Sequence, residues 1–398
     1  MHSSIARAAL AAPILLFASC GAWAQNQVSG NAFNPAISLI LNGLYASYSR
    51  DPTDYGLTGF ALEGDAGLAQ EGLGLDETEL ALSANVDDKF YGFLTTSLEQ
   101  SDGETTVGLE EAYIETLALP KSLKLKAGRF LSDVGYLNPI HAHAWDFVDA
   151  PLAYTAMLNS AYADTGVQLR WVAPTILFVE IGAELMRGDS FPAANASASK
   201  GTGAATQFAH IGGDVGNNSW RAGISHLAAD ANERTSAITG GDLQFTGSSD
   251  VWIADFIWKW ARNGNPRDRS FIVQGEYLSR SEDGELAFLP TVGTAAEGTY
   301  TGDQSGFYLQ GVYQFRPRWR AALRYDRLNA SNETTLGVPT PLVANGRPSR
   351  LSLMSDFSNS EFSRLRLQWS RDDSRGESDN QVFLQYLMSL GAHGAHRF

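Results

Sequence analysis

Sixteen segments of this chain carry apolar residues at every second position, and the stretches that join them alternate between long and short without exception. The segments fall near 37–48, 76–86, 89–98, 107–117, 122–131, 165–173, 176–187, 206–215, 219–228, 250–261, 270–279, 305–315, 318–328, 349–357, 362–370 and 381–391. Period 2 is the signature of an extended strand, whose successive side chains point to opposite faces. The long connections are 49–75, 99–106, 132–164, 188–205, 229–249, 280–304, 329–348 and 371–380. The short ones centre on Asp87-Asp88, Leu119-Pro120-Lys121, Ala173-Pro174-Thr175, Gly216-Asn217-Asn218, Asn263-Gly264-Asn265-Pro266, Arg316-Pro317 and Ser358-Asn359-Ser360, most with the chemistry of tight turns. A soluble sandwich has no reason to keep all its long connections at one end of the sheet.

A sheet that crosses a bilayer does have one. Strands in lipid must satisfy every backbone group by pairing, so the sheet closes on itself and leaves no edge. The face toward lipid is then apolar at every second position, and short turns collect at the periplasmic end. The final stretch shows this pattern: Val382, Leu384, Tyr386, Met388 and Leu390 share one parity, which runs on through His396 to the terminal Phe398. The fold class expected is all-β, a transmembrane antiparallel β-barrel of about 16 strands with long external loops and short periplasmic turns. After the first residues no apolar run reaches the 18 or so that a membrane helix needs. Arg7, the apolar run from Ala8 to Ala18 and the cleavage pattern Ala22-Trp23-Ala24 mark 1–24 as a signal peptide, leaving 25–398 as one barrel domain. Cleavage there also removes Cys20, the sole cysteine, so no disulfide framework is expected. The formal charge of −15, or −16 once Arg7 is lost, argues against a nucleic-acid partner.

The face assignment gives candidate interior residues. Trp252, Phe256, Trp258 and Trp260 oppose Asp255 and Lys259; Leu323 and Tyr325 oppose Arg320, Arg324 and Asp326; Leu365 and Leu367 oppose Arg364, Arg366 and Gln368. Glu77 and Glu79 share the inner parity of their strand, and the adjacent pair Glu110 and Glu111 breaks the alternation of theirs. Segment 132–164 is too rich in Tyr, Trp, Phe and Leu to lie freely in water, and the inner wall is the surface open to it. It is read as a candidate constriction loop, with Asp146, Asp149 and the histidines reaching the pore. An acidic mouth at Glu77 and Glu79 opposes a basic stripe of Arg320, Arg324, Arg364 and Arg366, a transverse field that favours small polar solutes; the alternative is ion pairing between strands within the wall. His141 and His143, and the second pair His393 and His396, are candidate zinc ligands, with Asp146 and Asp149 available to complete a site. No nucleophile, metalloprotease or phosphate-loop motif is present; Ser225-His226 is adjacency alone, with the two side chains on opposite faces. No enzyme activity and no obligatory cofactor are expected.

Two stretches carry a family resemblance: Leu123-Lys124-Leu125-Lys126-Ala127-Gly128-Arg129-Phe130 leading into the long loop, and the ending Leu390-Gly391-Ala392-His393-Gly394-Ala395-His396-Arg397-Phe398. With the strand pattern, they make the chain resemble the sixteen-stranded bacterial porins, within the porin-like superfamily that holds the phosphate-selective porins. The resemblance implies an outer-membrane location, a water-filled pore, a homotrimer, contact with outer-membrane lipids and lipopolysaccharide, and recognition of Phe398 by the barrel assembly machinery. Phosphate selectivity does not follow, because the chain is acidic and holds six lysines. The function expected is passive diffusion of small polar or ionic solutes; the alternative is a non-conducting barrel that binds zinc or a surface partner through its loops. Deleting Phe398 is predicted to reduce insertion in cells far more than it alters a barrel folded in detergent. Surface labelling checks this, and unchanged surface levels of the deletion would refute the assembly role.

Overall fold

The computed structural model describes residues 35–63, 66–101, 104–195, 201–343 and 346–391, so the expected signal peptide 1–24, His393, His396 and Phe398 lie outside the described residues. In chain order the strands are β1 (Ala36–Tyr48), β2 (Gly72–Leu75), β3 (Thr78–Asn85), β4 (Phe90–Ser101), β5 (Glu104–Thr116), β6 (Leu123–Leu131), β7 (Ala163–Val172), β8 (Phe178–Met186) and β9 (Ala204–Val215). They continue with β10 (Asn218–Ile238), β11 (Gly241–Ala261), β12 (Ser270–Pro290), β13 (Ala296–Arg316), β14 (Trp319–Thr334), β15 (Ser349–Ser360), β16 (Ser363–Asp372) and β17 (Asp379–Gly391). One α-helix, α1 (Leu152–Leu158), stands among the described residues. Consecutive strands from β3 onward pair antiparallel, and β1 pairs with β17 over 11 positions, from Ser38 with Gly391 to Tyr48 with Gln381. The sheet is closed.

Seventeen strands make sixteen staves. Residues 43–46 of β1 pair with β2 and 36–40 pair with β3, so these two are halves of one stave interrupted at Asp76-Glu77. The sequence pattern predicts an unbroken strand over 76–86. At the break Asn42 of β1, which pairs with Leu387 of β17, meets Asp76 on its other side: Asn42 Nδ2 donates to Asp76 Oδ2 at 3.0 Å, while the Asp76 amide donates to the Asn42 carbonyl at 2.9 Å.

Two of the expected external loops are also strand. Residues 229–249 and 280–304 continue the ladders of β10–β11 and β12–β13 almost to their tips, giving four strands of 21 residues each. At ~3.3 Å per residue each is roughly 70 Å long, far more than a tilted strand needs to cross an apolar band of about 25 Å. The 99–106 connection is likewise a tight hairpin between β4 and β5. Paired backbone outlasts the lipid-facing pattern, because the ladder satisfies amides in water as well as in lipid.

The outer face carries the predicted parity: Val382, Leu384, Tyr386 and Leu390 are exposed while Gln381, Phe383 and Gln385 are buried. Trp258, Phe271 and Tyr313 stack edge to face across β11, β12 and β13 beside the short turns, an aromatic girdle at an interface. In β5 the pairing steps from Thr95–Glu111 to Thr96–Leu109, which leaves Glu110 as the extra residue of a β-bulge. That bulge resolves the awkward acidic pair: both carboxylates turn inward.

The interior is not hollow throughout. Segment 132–162 leaves β6, turns into the barrel and returns to β7. Its apolar residues, together with Leu57 and Phe60 from the first long connection, form a buried core against Val251, Ile253, Leu278, Tyr308 and Leu328 of the wall. All seven residues of α1 are buried. The helix is short but well ended. Asp326 Oδ1 of β14 accepts the Leu152 amide at 2.9 Å, and Asn159 closes it in the left-handed conformation. Gly306 of β13 admits it, because a Cβ there would press on Leu328 and stand 3.1 Å from Ala153. If this packing holds the segment in place, Met157→Ala, at a site with no exposure, should cost about 2–5 kcal/mol of local stability. Proteolysis of 132–162 in the folded barrel is the measurement, with rapid cleavage of the variant and slow cleavage of the parent expected.

Candidate functional site

The candidate site is the lumen where 132–162 lies against the wall. Each of three inward carboxylates takes loop amides. Glu184 of β8 accepts from the Ser132 hydroxyl and from the Asp133 amide at 3.1 Å. Glu276 of β12 accepts from the amides of Tyr136 at 3.0 Å and Leu137 at 2.9 Å, and from the hydroxyls of Tyr154 and Tyr308. Asp326 caps α1, as described above. Arginines take the loop carbonyls: Arg221 donates to Gly135 O at 2.8 Å, Arg324 to Asp149 O at 2.8 Å, Arg350 to Ala150 O, Arg364 to His143 O at 2.8 Å and Arg366 to Trp145 O at 2.7 Å. Buried backbone groups must find partners, and here strand side chains supply them.

Asp146 and Asp149, read from the sequence as reaching the pore, are paired directly with wall arginines. Arg320 reaches Asp146 Oδ1 at 2.7 Å and also bonds Asp356. Asp149 is held by Arg324 at 2.7 Å, Arg350 at 2.8 Å and the Gln368 amide at 2.9 Å, while the ring of Phe147 lies 4.5 Å from the Arg324 guanidinium. Burial raises the Asp149 pKa, but the charges of Arg350 and Arg324 and its hydrogen bonds outweigh this and bring it down to about 2. Glu184, Glu276, Arg350 and Asp356 escaped the sequence reading. Each is a charged residue at inner parity within a strand, and that was the available signal.

A second cluster joins the loop to the opposite wall. His141 Nδ1 lies 3.1 Å from Glu110 Oε2 and 3.4 Å from Glu79 Oε2, and His141 Nε2 lies 2.9 Å from Glu111 Oε2. His143 Nδ1 meets the other oxygen of Glu79, and the two imidazoles stack with centroids 5.8 Å apart. Burial disfavours the charged form of His141, yet hydrogen bonds to Glu110 and Glu111 and the charges of Glu79 and Glu111 overcome it and hold the pKa well above the ordinary histidine value. Glu77 sits beside Glu110 at the edge of this group. Asp146 and Asp149, the expected acidic companions of the histidines, are committed to arginines instead. The pairing of histidines with Glu79, Glu110 and Glu111 was not legible in the sequence because it depends on the bulge.

Two cavities flank the loop. One, of about 420 Å³, reaches from Tyr136, Asp146 and Arg320 to the short turn at Ser358 and Phe362. The other, of about 410 Å³, is lined by Asp133, Arg170, His210 and Arg221. Tyr136 and Ile140 line both, so this part of the loop forms the partition.

Because Asp149 has a depressed pKa, the stabilisation it gives is present above the unfolded carboxylate value of ~3.9 and is lost as pH falls toward 2. Protease protection of 132–162 should accordingly persist at pH 4 and fail only near pH 2. Asp149→Asn, which lacks the charge at every pH, should be cleaved already at neutral pH.

No family model matches the chain. An uncharacterized protein of Aquifex aeolicus (strain VF5) is 29% identical over 407 residues, spanning 95% of this chain and 83% of the relative. Among solved structures, OmpT, an outer membrane protein of Vibrio cholerae, in a form lacking loop L8, superposes with a TM-score of 0.56 at 11% identity, covering 90% of this chain and 100% of that one. The outer membrane channel DcaP of Acinetobacter baumannii gives 0.52 at 14% identity, covering 89% and 97%. Pseudomonas putida OprB gives 0.51 at 12% identity, covering 90% and 94%. Identities this low speak for the fold alone. In its closed sheet of sixteen staves, its apolar outer face and its lumen, the chain has the porin-like fold of an outer-membrane β-barrel.

Proposed function

We propose that the chain is a passive porin through which small polar or ionic solutes diffuse across the outer membrane. The observation that supports this best is the charged loop held in the lumen by wall arginines and carboxylates, with a cavity on either side of Tyr136 and Ile140. A charged loop in that position would line the passage of a channel and needs no reaction chemistry. In this reading Asp146, Asp149, Arg320, Arg324, Arg364 and Arg366 border the constriction, and Glu77 and Glu79 border its acidic side. DcaP is described as a channel, and OmpT is known in a trimer form, which supports a homotrimer with one pore per barrel. The exposed apolar stripe of β17 serves equally well against lipid or a neighbouring subunit.

The packed core around α1 favours a second reading, a barrel that does not conduct and acts through its surface loops. Planar-bilayer recording on pure, folded protein separates the two: conductance steps are expected, and their absence would end the porin reading. Removing residues 139–151 should raise single-channel conductance and weaken ion discrimination. Charge variants give a sign. Asp146→Asn with Asp149→Asn should lower cation preference, because negative charge is lost where the field is focused, and Arg364→Gln with Arg366→Gln should raise it. Reversal potentials in a salt gradient measure both.

A further inference from the structure

We propose that Glu79, Glu110 and His141 form a binding site for a divalent transition-metal ion, of which Zn²⁺ is the simplest probe. Each of the three offers one ligand atom within 4.8 Å of the other two, and His141 Nδ1 faces Glu79 Oε2 and Glu110 Oε2. The two distances from the imidazole nitrogen are 3.4 and 3.1 Å. Tetrahedral zinc with bonds of about 2.0–2.2 Å sets neighbouring donor atoms about 3.3–3.6 Å apart, close to the two distances from the imidazole nitrogen. One nitrogen and two carboxylate oxygens, with a fourth position left to water, is a donor set suited to zinc among the divalent ions.

The surroundings are those of a metal site and not of an acidic patch. A ligating histidine ordinarily has its second ring nitrogen fixed by a carboxylate, and Glu111 Oε2 lies 2.9 Å from His141 Nε2. The second oxygen of Glu79 is fixed by His143 Nδ1. The Glu110 carboxylate is also flanked by Glu77 and Ser97, and its second oxygen is buried. The β-bulge at Glu110 is what turns two consecutive carboxylates to the same side, one as ligand and one as support for the histidine. Because Glu79 and Glu110 belong to β3 and β5 while His141 belongs to the loop, a bound ion would staple the loop to the wall.

The test uses the full mature barrel in detergent, stripped with chelator and dialysed, then titrated calorimetrically with ZnCl₂. One saturable site per chain is expected, and Co²⁺ in its place should show the visible bands of a low-coordinate nitrogen–oxygen site. Glu110→Gln and His141→Ala should each weaken binding at least about tenfold, and Glu111→Gln about 10–100-fold through loss of the histidine's support. Heat-modifiable migration on gels verifies that each variant is folded. Absence of saturable binding to the folded parent, or unchanged binding in folded Glu110→Gln with His141→Ala, would overturn the site; so would loss of binding on changing only His393 and His396 to alanine. Conductance recorded in chelator is a separate readout, so a failure of the porin reading leaves this test intact.

Discussion

A backbone segment can lie inside a barrel only if its amides and carbonyls find partners there, since each buried group left unpaired costs about 1–3 kcal/mol. Segment 132–162 makes one α-helix of seven residues and a single 3-10 turn at Ala142–Ala144, and much of the rest has no ladder of its own. The wall supplies what is missing. Carboxylates of Glu184, Glu276 and Asp326 take amides, and guanidinium groups of Arg221, Arg324, Arg350, Arg364 and Arg366 take carbonyls. The charges of the lumen are thus first of all structural, and any effect on solutes is exerted by groups already fixed in place.

This arrangement also explains why so many ionised groups tolerate burial. Arg324, Arg366, Asp326 and Asp356 are almost wholly excluded from water. An isolated charge in that setting would be expensive, and a counter-charge with further hydrogen bonds offsets much of that cost. Asp356 shares Arg320 with Asp146, and Asp326 has Arg324 at 3.0 Å and Arg350 at 3.8 Å. Loop and wall complete one another's network, so neither half is satisfied alone.

Much of the fold was legible because it rests on period 2. The parity of residues 381–391 and the alternation of connections point to a closed sheet, and the register of β17 on β1 closes it. What escaped was whatever depends on a departure from that period. The stave broken at Asp76-Glu77 and the bulge at Glu110 are local exchanges of one partner for another, and alternation cannot reveal them. The extended hairpins escaped for the opposite reason. Their ladders continue where lipid no longer imposes an apolar face, so the pattern fades while the pairing does not. In the site, inner parity identified Arg320, Arg324, Arg364 and Arg366, but not that loop carbonyls and carboxylates would occupy them. Nor did it show that the histidines turn to Glu79, Glu110 and Glu111 and leave Asp146 and Asp149 to arginine.

The anchors of the loop also impose an order on events. His143 and Trp145 are held by residues 221 positions further along the chain, Asp149 by one 175 positions away, and Leu152 by one 174 away. None of these contacts can form before β14 and β16 are in place, whereas Glu184, Arg221 and Glu276 on β8, β10 and β12 hold the first residues of the loop. The segment is therefore seated in two stages, its first residues on the middle staves and its second half on the later ones. A barrel halted before its final strands would leave that second half without the partners that receive it.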